Sequence, residues 1–228
     1  LSGDRDGKSL KFPYLLLLVS GGHCQLLIVE GVGDYKCIGN SLDDAAGECF
    51  DKVAKMLGLE MPGGPAIQEF AKFGDPKRFS LPKPLKKKGG CDFSFSGLKT
   101  AVRNKVDYIS DRGASKQDLR DLAASAQEAI INHLIDRTNN GLEFIKSRNI
   151  RSLVLSGGVA SNKLLRSSFN QIILSRGMDF YVPPVELCTD NGIMVAWAGL
   201  ERHKLGFNDA LSFKPKPRWP LDKIINNK

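Results

Sequence analysis

Paired cysteines, histidines and long apolar runs are what this sequence has least of, and each shortage excludes something. Its five cysteines, Cys24, Cys37, Cys49, Cys91 and Cys188, are odd in number and form no Cys-x-x-Cys pair. A disulfide framework and a zinc ribbon are thereby disfavoured, and a reducing compartment fits the pattern. Only three histidines occur, His23, His133 and His203, and none belongs to a His-Glu-x-x-His motif, so zincin peptidase chemistry has no support. No Gly-x-Ser-x-Gly elbow is present for a serine hydrolase. The longest apolar run, Tyr14 to Val19, is far too short to cross a bilayer. No signal peptide opens the chain. The first residue is Leu1 rather than Met, which points to a processed, excised or truncated product with sequence missing upstream.

What is present is ordinary globular material. The chain has 228 residues, 42% hydrophobic and 25% charged, enough for one large domain or two small ones with a real core. Lys and Arg number 33 against 25 Asp and Glu, a net charge of +8. Such a surplus favours a polyanionic partner and says nothing about fold.

Residues 1–12 are polar and aperiodic and read as a lead-in. Tyr14–Val19 has the continuous apolar run of a strand buried on both faces. With residues 24–30 and 35–39 it makes an antiparallel meander through glycine turns. A helix follows, with Asp43 and Asp44 at the positive end of its dipole and Ala46, Phe50, Val53, Ala54 and Leu57 as its buried stripe. Gly58 is its stop. Pro62-Gly63-Gly64-Pro65 breaks the chain before a short helix to Phe73. Residues 74–96 are a Pro- and Lys-rich loop. Helices are expected over 97–108 and about 115–146, the second opened by a Ser115–Asp118 capping box and divided at Asn139-Asn140-Gly141. Strand 152–155, helix 162–176, strand 179–182 and helix 191–205 complete the pattern, the last with Ile193, Ala196, Trp197 and Leu200 buried. The tail from Phe213 reads as extended and basic. This order is α/β.

Nucleotide fingerprints fail where they are simplest. Gly7-Lys8-Ser9 lacks the glycine a P-loop needs at position 2 and has no strand before it, and Gly31-Val32-Gly33 lacks the third Rossmann glycine. Two glycine pairs remain, in Ser20-Gly21-Gly22-His23 and Ser156-Gly157-Gly158-Val159. Each follows an apolar strand and offers backbone N–H groups without Cβ obstruction. Either alone is as readily a tight turn. Two in one chain favour a nucleotide cleft, because ligands of open α/β sheets gather at strand ends. Asp190 is an N-cap or a carboxylate that holds a metal or a sugar. Asp51 is a solvated charge or an i,i+4 partner of Lys55. His133 lies beside an apolar helix stripe and reads as structural, and His203 sits near a helix C-terminus. Lys86–Lys88 and the Lys214, Lys216, Arg218, Trp219 cluster are solvated charge or nucleic-acid contacts.

These stretches, with VSGGH (19–23), SLDDAAGECFDK (41–52), PGGP (62–65), DFSFSGLKTAV (92–102), SGGVASN (156–162), CTDNGIMVAWAG (188–199) and PRWPLD (217–222), resemble the tRNA N6-adenosine threonylcarbamoyltransferases. That is the TsaD family with its mitochondrial homologues, formerly called O-sialoglycoprotein endopeptidases. The likeness covers residues 13–222. It implies an actin/sugar-kinase-like (ASKHA), ribonuclease-H-like α/β fold with a helical insertion and the first half of the fold missing. Residues 1–12 would be the lead-in and 13–228 the C-terminal lobe, with a core of 13–60 and 150–210, an insertion of 61–149 and a tail of 211–228. It implies transfer of a threonylcarbamoyl group from threonylcarbamoyl-AMP to N6 of the adenosine 3′ of a tRNA anticodon. The alternative is a truncated, non-catalytic nucleotide- or partner-binding module of the same fold.

By the same resemblance, Leu18, Val19, Ser20, Gly21 and Gly22 line the substrate. Asp51 and Gly64 meet the ribose and adenosine side, and Asn162 the adenine end. Asp190 ligates one divalent metal, Fe or Zn. Position 68, often acidic in relatives, is Gln68 here. The family's His-x-x-x-His metal motif would lie upstream of Leu1. Implied partners are tRNA, the adenine nucleotide, and a second copy or the subunits of a tRNA-modification complex, with no membrane. The implied compartment is mitochondrial, with bacterial cytoplasm as the alternative.

Overall fold

The chain's first apolar run seeds a sheet. In the computed structural model, which describes residues 10–217 and 219–223, β1 (Tyr14–Val19), β2 (Cys24–Gly31) and β3 (Asp34–Asn40) form the expected antiparallel meander. Gly7-Lys8-Ser9 and Arg218 lie outside the described residues. After β3 come α1 (Ala46–Met56), α2 (Gly63–Ala71), α3 (Ser96–Ser110) and α4 (Lys116–Phe144). The chain then re-enters the sheet with β4 (Ser152–Ser156), α5 (Lys163–Ser175) and β5 (Asp179–Tyr181), and ends in α6 (Gly192–Lys204) and a 3-10 turn at Leu221–Lys223. Strand order is β3-β2-β1-β4-β5, with β1–β4 and β4–β5 parallel. The α/β architecture is thus as the sequence implies.

Period-2 alternation decides what is buried. Leu15, Leu17 and Val19 are wholly buried, whereas Tyr14, Leu16 and Leu18 are only partly so. β1 is therefore not buried on both faces as expected. Helices α1 to α5 share one hydrophobic cluster with Leu15, Leu17, Leu26, Ile28, Leu153 and Leu155, and the register places these residues on one side of the sheet. The other side carries less cover.

Three further expectations are corrected. Helix α4 is not divided at Asn139-Asn140-Gly141. It runs unbroken, because Gly141 is there for closeness: a Cβ would strike Leu26 of β2. Helix α6 buries none of Ile193, Ala196, Trp197 and Leu200; the whole helix contributes no buried residue, and Ile193 is 63% exposed. Its apolar spacing signals a face that suits cover, but no described element packs closely on it. The tail is not simply extended. Leu221–Lys223 turns back against the edge strand β3, with Trp219 Nε1 donating to the Lys223 carbonyl at 3.2 Å.

Candidate functional site

The parallel pairing of β1 and β4 brings the two glycine turns together. Leu18 pairs with Ser156, so both strands end on one row of the sheet. Beyond that row, the two turns take different roles. Gly157 has φ +97°, and a Cβ there would collide with the Val19 carbonyl. Its glycine is required by the fold. Gly21 and Gly22 are exposed, neither is left-handed, and a Cβ on either would meet nothing within 4 Å. The fold does not demand glycine there, and the space above the turn is open.

The turn itself is held from within. Ser20 Oγ accepts from the N–H of Gly22 at 3.3 Å and of His23 at 3.0 Å, and Ser20 N–H donates to the His23 carbonyl at 2.7 Å. The first turn of α1 abuts it from outside. Gly47 N–H donates to the Ser20 carbonyl at 3.0 Å, and a Cβ at Gly47 would stand 2.6 Å from that oxygen. Gly47 is a site residue that sequence reasoning missed. Its signal is a glycine in the first turn of an otherwise strong helix.

Asp51 is neither free nor paired with Lys55. Its Oδ1 accepts from Gly63 N–H at 2.8 Å and so receives the start of α2, which carries the half-buried Gly64. From the same helix, Gln68 Oε1 accepts from Lys163 N–H at 2.6 Å, tying α2 to the start of α5. Asn162 is buried at the N-cap of α5. Its Oδ1 accepts from Leu165 N–H at 3.0 Å, and its Nδ2 donates to Gln127 Oε1 at 2.9 Å. Gln127 was not foreseen, because a polar residue inside a helix stripe gives no local sign of its partner.

Leu18 to Gly22, Asp51, Gly64 and Asn162 are therefore linked through α1, α2 and the start of α5. Asp190 is not joined to them by any bond among the described residues. It is exposed, and the N-cap of α6 is its neighbour Asn191, whose Oδ1 accepts from Met194 N–H at 2.9 Å. Two residues earlier the chain is anchored by buried Cys188, which receives Arg166 Nη2 at 3.1 Å. Among the described residues no three His, Cys, Asp or Glu side chains gather where they would hold a metal. Asp190 alone is an incomplete donor set for Fe or Zn.

The two acidic residues before α1 do not serve that helix's dipole alone. Asp43 caps α3 instead: its carboxylate accepts from Phe95 N–H at 2.7 Å and from the hydroxyls of Ser94 and Ser96 at 2.6 and 2.8 Å. Burial opposes its charge, yet these donors hold the carboxyl below its ordinary range. Asp44 bridges Lys52 and Lys99 at 2.8 and 2.9 Å. The SLDDAAGE and DFSFSGLKT motifs thus bind one another. His133, buried in α4, accepts from Ser94 N–H at 3.1 Å and packs edge-on to Phe95, which is the structural part read for it.

A family model described as TsaD, tRNA N6-adenosine threonylcarbamoyltransferase, matches residues 2–197. A protein of that name from Rhodospirillum rubrum is 54% identical over 215 residues, covering 93% of this chain and 59% of the relative. One from Paramagnetospirillum magneticum is also 54% identical, covering 93% and 62%. The chain spans about six tenths of the length of these relatives. Among solved structures, full-length HypF in its phosphate- and nucleotide-bound form aligns with TM-score 0.63 at 15% identity, covering 86% of this chain and 40% of that one. T. kodakarensis HypF aligns with TM-score 0.53 at 17% identity. These two speak for the fold. With seven sequence motifs in order, a family model over most of the chain and relatives at 54% identity, the chain belongs to the tRNA N6-adenosine threonylcarbamoyltransferase family, TsaD.

Proposed function

We propose that this chain forms one wall of a cleft that binds threonylcarbamoyl-AMP and serves transfer of its threonylcarbamoyl group to N6 of the adenosine 3′ of a tRNA anticodon. The observation that carries the reading is the Gly21–Gly22 turn. Two glycines that the fold does not need stand in open space at the joined ends of β1 and β4. Backbone at such a strand end can come close to phosphate oxygens.

The chemistry asks for placement more than for covalent help. The N6 nitrogen bonds to the carbamoyl carbon, the carbon–oxygen bond to phosphate breaks, AMP leaves with the electron pair, and N6 gives up one proton to water. AMP is already a good leaving group of the mixed anhydride. The buried thiols are poor nucleophiles, since burial pushes Cys49 up to about 12 and Cys24 higher still. In the proposed arrangement Leu18 to Gly22 face the phosphate with main-chain groups, and Gly21 N–H is engaged by no described residue. Asp51 and Gly64 flank the ribose and adenosine side. Asn162 meets the adenine end from the start of α5, where Leu165 N–H and Gln127 Oε1 orient its amide and leave one N–H and one lone pair of it uncommitted. Such fixed dipoles and an amine held in line are what lower this kind of barrier. Among the described residues the divalent metal of the family reading would find Asp190 without a full set of ligands beside it.

The second reading is a non-catalytic module of the same fold, favoured by the incomplete donor set around Asp190. One assay separates the two. The chain is incubated with threonylcarbamoyl-AMP, Fe²⁺ or Zn²⁺ and unmodified tRNA, and the modified nucleoside is sought by mass spectrometry. Product from this chain supports the first reading. Product only from a longer chain that adds upstream sequence supports the first reading for the whole protein and the second for this piece. Full activity of Asp190→Ala in the longer chain would remove the metal role from Asp190.

No helix among the described residues is long and apolar enough to cross a membrane. A mitochondrial site of action and a homodimeric or multi-subunit state rest on the family resemblance; the relatives named above are bacterial.

A further inference from the structure

We infer that the strap of residues 76–90, clamped along α4, is the surface that carries the sugar–phosphate backbone of the RNA. This rests on the proposed transfer to tRNA and adds where on the chain the RNA lies. The strap is a built feature rather than a loose loop. Arg137, only 2% exposed, donates from Nη1 to the Lys88 carbonyl at 3.0 Å, and Asn140 Nδ2 donates to the Gly90 carbonyl at 2.7 Å. Leu85 and Lys87 are held at positive φ, 55° and 67°. With its main chain fixed from below, the strap presents Lys83, Lys86, Lys87 and Lys88 outward. All four are exposed, and none is in an ion pair with a described residue. Of the acids beneath them, Asp136 is engaged by Arg137 and Glu143 by Lys146 and Arg176, which leaves Glu128 against four lysines.

Space and position complete the argument. One cavity of about 560 Å³ lies between strap and α4, with Phe79, Asn132 and Asn139 beside Lys83 and Lys86. A second of about 510 Å³, further along α4, is lined by Lys87, Lys88 and Asn140. Unpaired cations beside the amide groups of Asn132, Asn139 and Asn140 suit phosphates and base edges better than they suit an acidic peptide. The strap also ends at the right edge of the sheet. Phe93 N–H donates to the Asn40 carbonyl at 3.0 Å, and Asn40, Gln25, Leu18 and Ser156 form one row across the strands. At strand spacing Asn40 lies about 10 Å from Leu18, and Phe93, one spacing further out and just past the end of the strap, about 15 Å from it. An RNA along the strap can therefore reach the glycine turn. The basic tail is a weaker choice, since Lys216 stands 4.2 Å over the Trp219 ring and the tail turns back on β3.

The test is salt-dependent binding of unmodified tRNA to the full gene product that contains these residues. Lys86→Gln, Lys87→Gln and Lys88→Gln are combined and compared with Lys36→Gln, Lys55→Gln and Lys116→Gln, three exposed lysines elsewhere. The strap variant is expected to lose about 2 units from the slope of log affinity against log salt. The control variant and AMP binding by both should stay parental. A parental slope in the strap variant, or equal losses in both, overturns the inference while leaving the transfer reading intact. Equal binding of polyglutamate and tRNA to the strap overturns it as well, marking a general anion patch. Failure of the parent to bind tRNA at all sinks the transfer reading itself.

Discussion

The carbonyl of Val19 occupies the place where a side chain on Gly157 would begin, so the ends of β1 and β4 are locked together by main chain alone. One strand pair therefore holds two kinds of glycine. Gly157→Ala must relieve both the collision and a left-handed φ of +97°, at a cost of about 2 kcal/mol or more. Gly21→Ala and Gly22→Ala meet no protein atom within 4 Å and should change stability by less than about 1 kcal/mol. Their effect falls instead on the ligand, with AMP or adenylate affinity reduced at least about tenfold. Thermal melts beside calorimetric titration with AMP read both quantities. A Gly21→Ala protein that binds AMP like the parent would leave the open turn without a function.

The Asp43 carboxylate is the joint between two motifs, and its loss is expected to be felt in the fold. Asp43→Ala strands the N–H of Phe95 and the hydroxyls of Ser94 and Ser96, which should cost about 2 kcal/mol. Asp43→Asn retains an acceptor oxygen and should cost about half as much. Urea denaturation with an unchanged m-value measures this. The carboxyl is held below its ordinary range, so the folded state favours its charged form. That contribution is full above the unfolded carboxylate range and fades as the pH falls from there through the lowered folded value.

These particular residues show how far sequence reaches. The strands, α1, α3, α5 and the Ser115–Asp118 cap were legible because each rests on local periodicity or on a bond three residues long. The two glycine turns were legible as a pair, and β1–β4 pairing explains why they meet. What one sequence cannot show is a partner across the fold. Asp43 was read against the helix next to it, yet it binds groups more than fifty residues away. Gly141 was read as a break, yet it answers to Leu26 on a distant strand. Asn162 was read toward ligand, and no local signal shows that its Nδ2 also donates to Gln127 in α4. The apolar face of α6 was correctly seen as a face, but hydrophobic spacing carries no statement of what covers it.

His133 makes the stability of the whole lobe sensitive to mild acid. Burial first, and the Arg137 charge second, lower it to about 4, against an ordinary value near 6.5 in the unfolded chain. Asp136 and Asp43 pull the other way and do not win. Between these two values the unfolded state binds a proton that the native state refuses, so stability rises with pH across that window. Read downward, stability is lost as the pH falls from about 6.5 to about 4, by on the order of 3 kcal/mol in all. Protonation would also turn Nε2 from the acceptor of Ser94 N–H into a donor facing a donor. In guanidinium melts from pH 7.5 to 4.5 the parent should weaken steadily. His133→Gln should start lower at pH 7.5 because packing against Phe93 and Phe95 is lost, and then stay nearly flat across the same range. Parallel pH curves for the two proteins would mean that the acid sensitivity resides elsewhere.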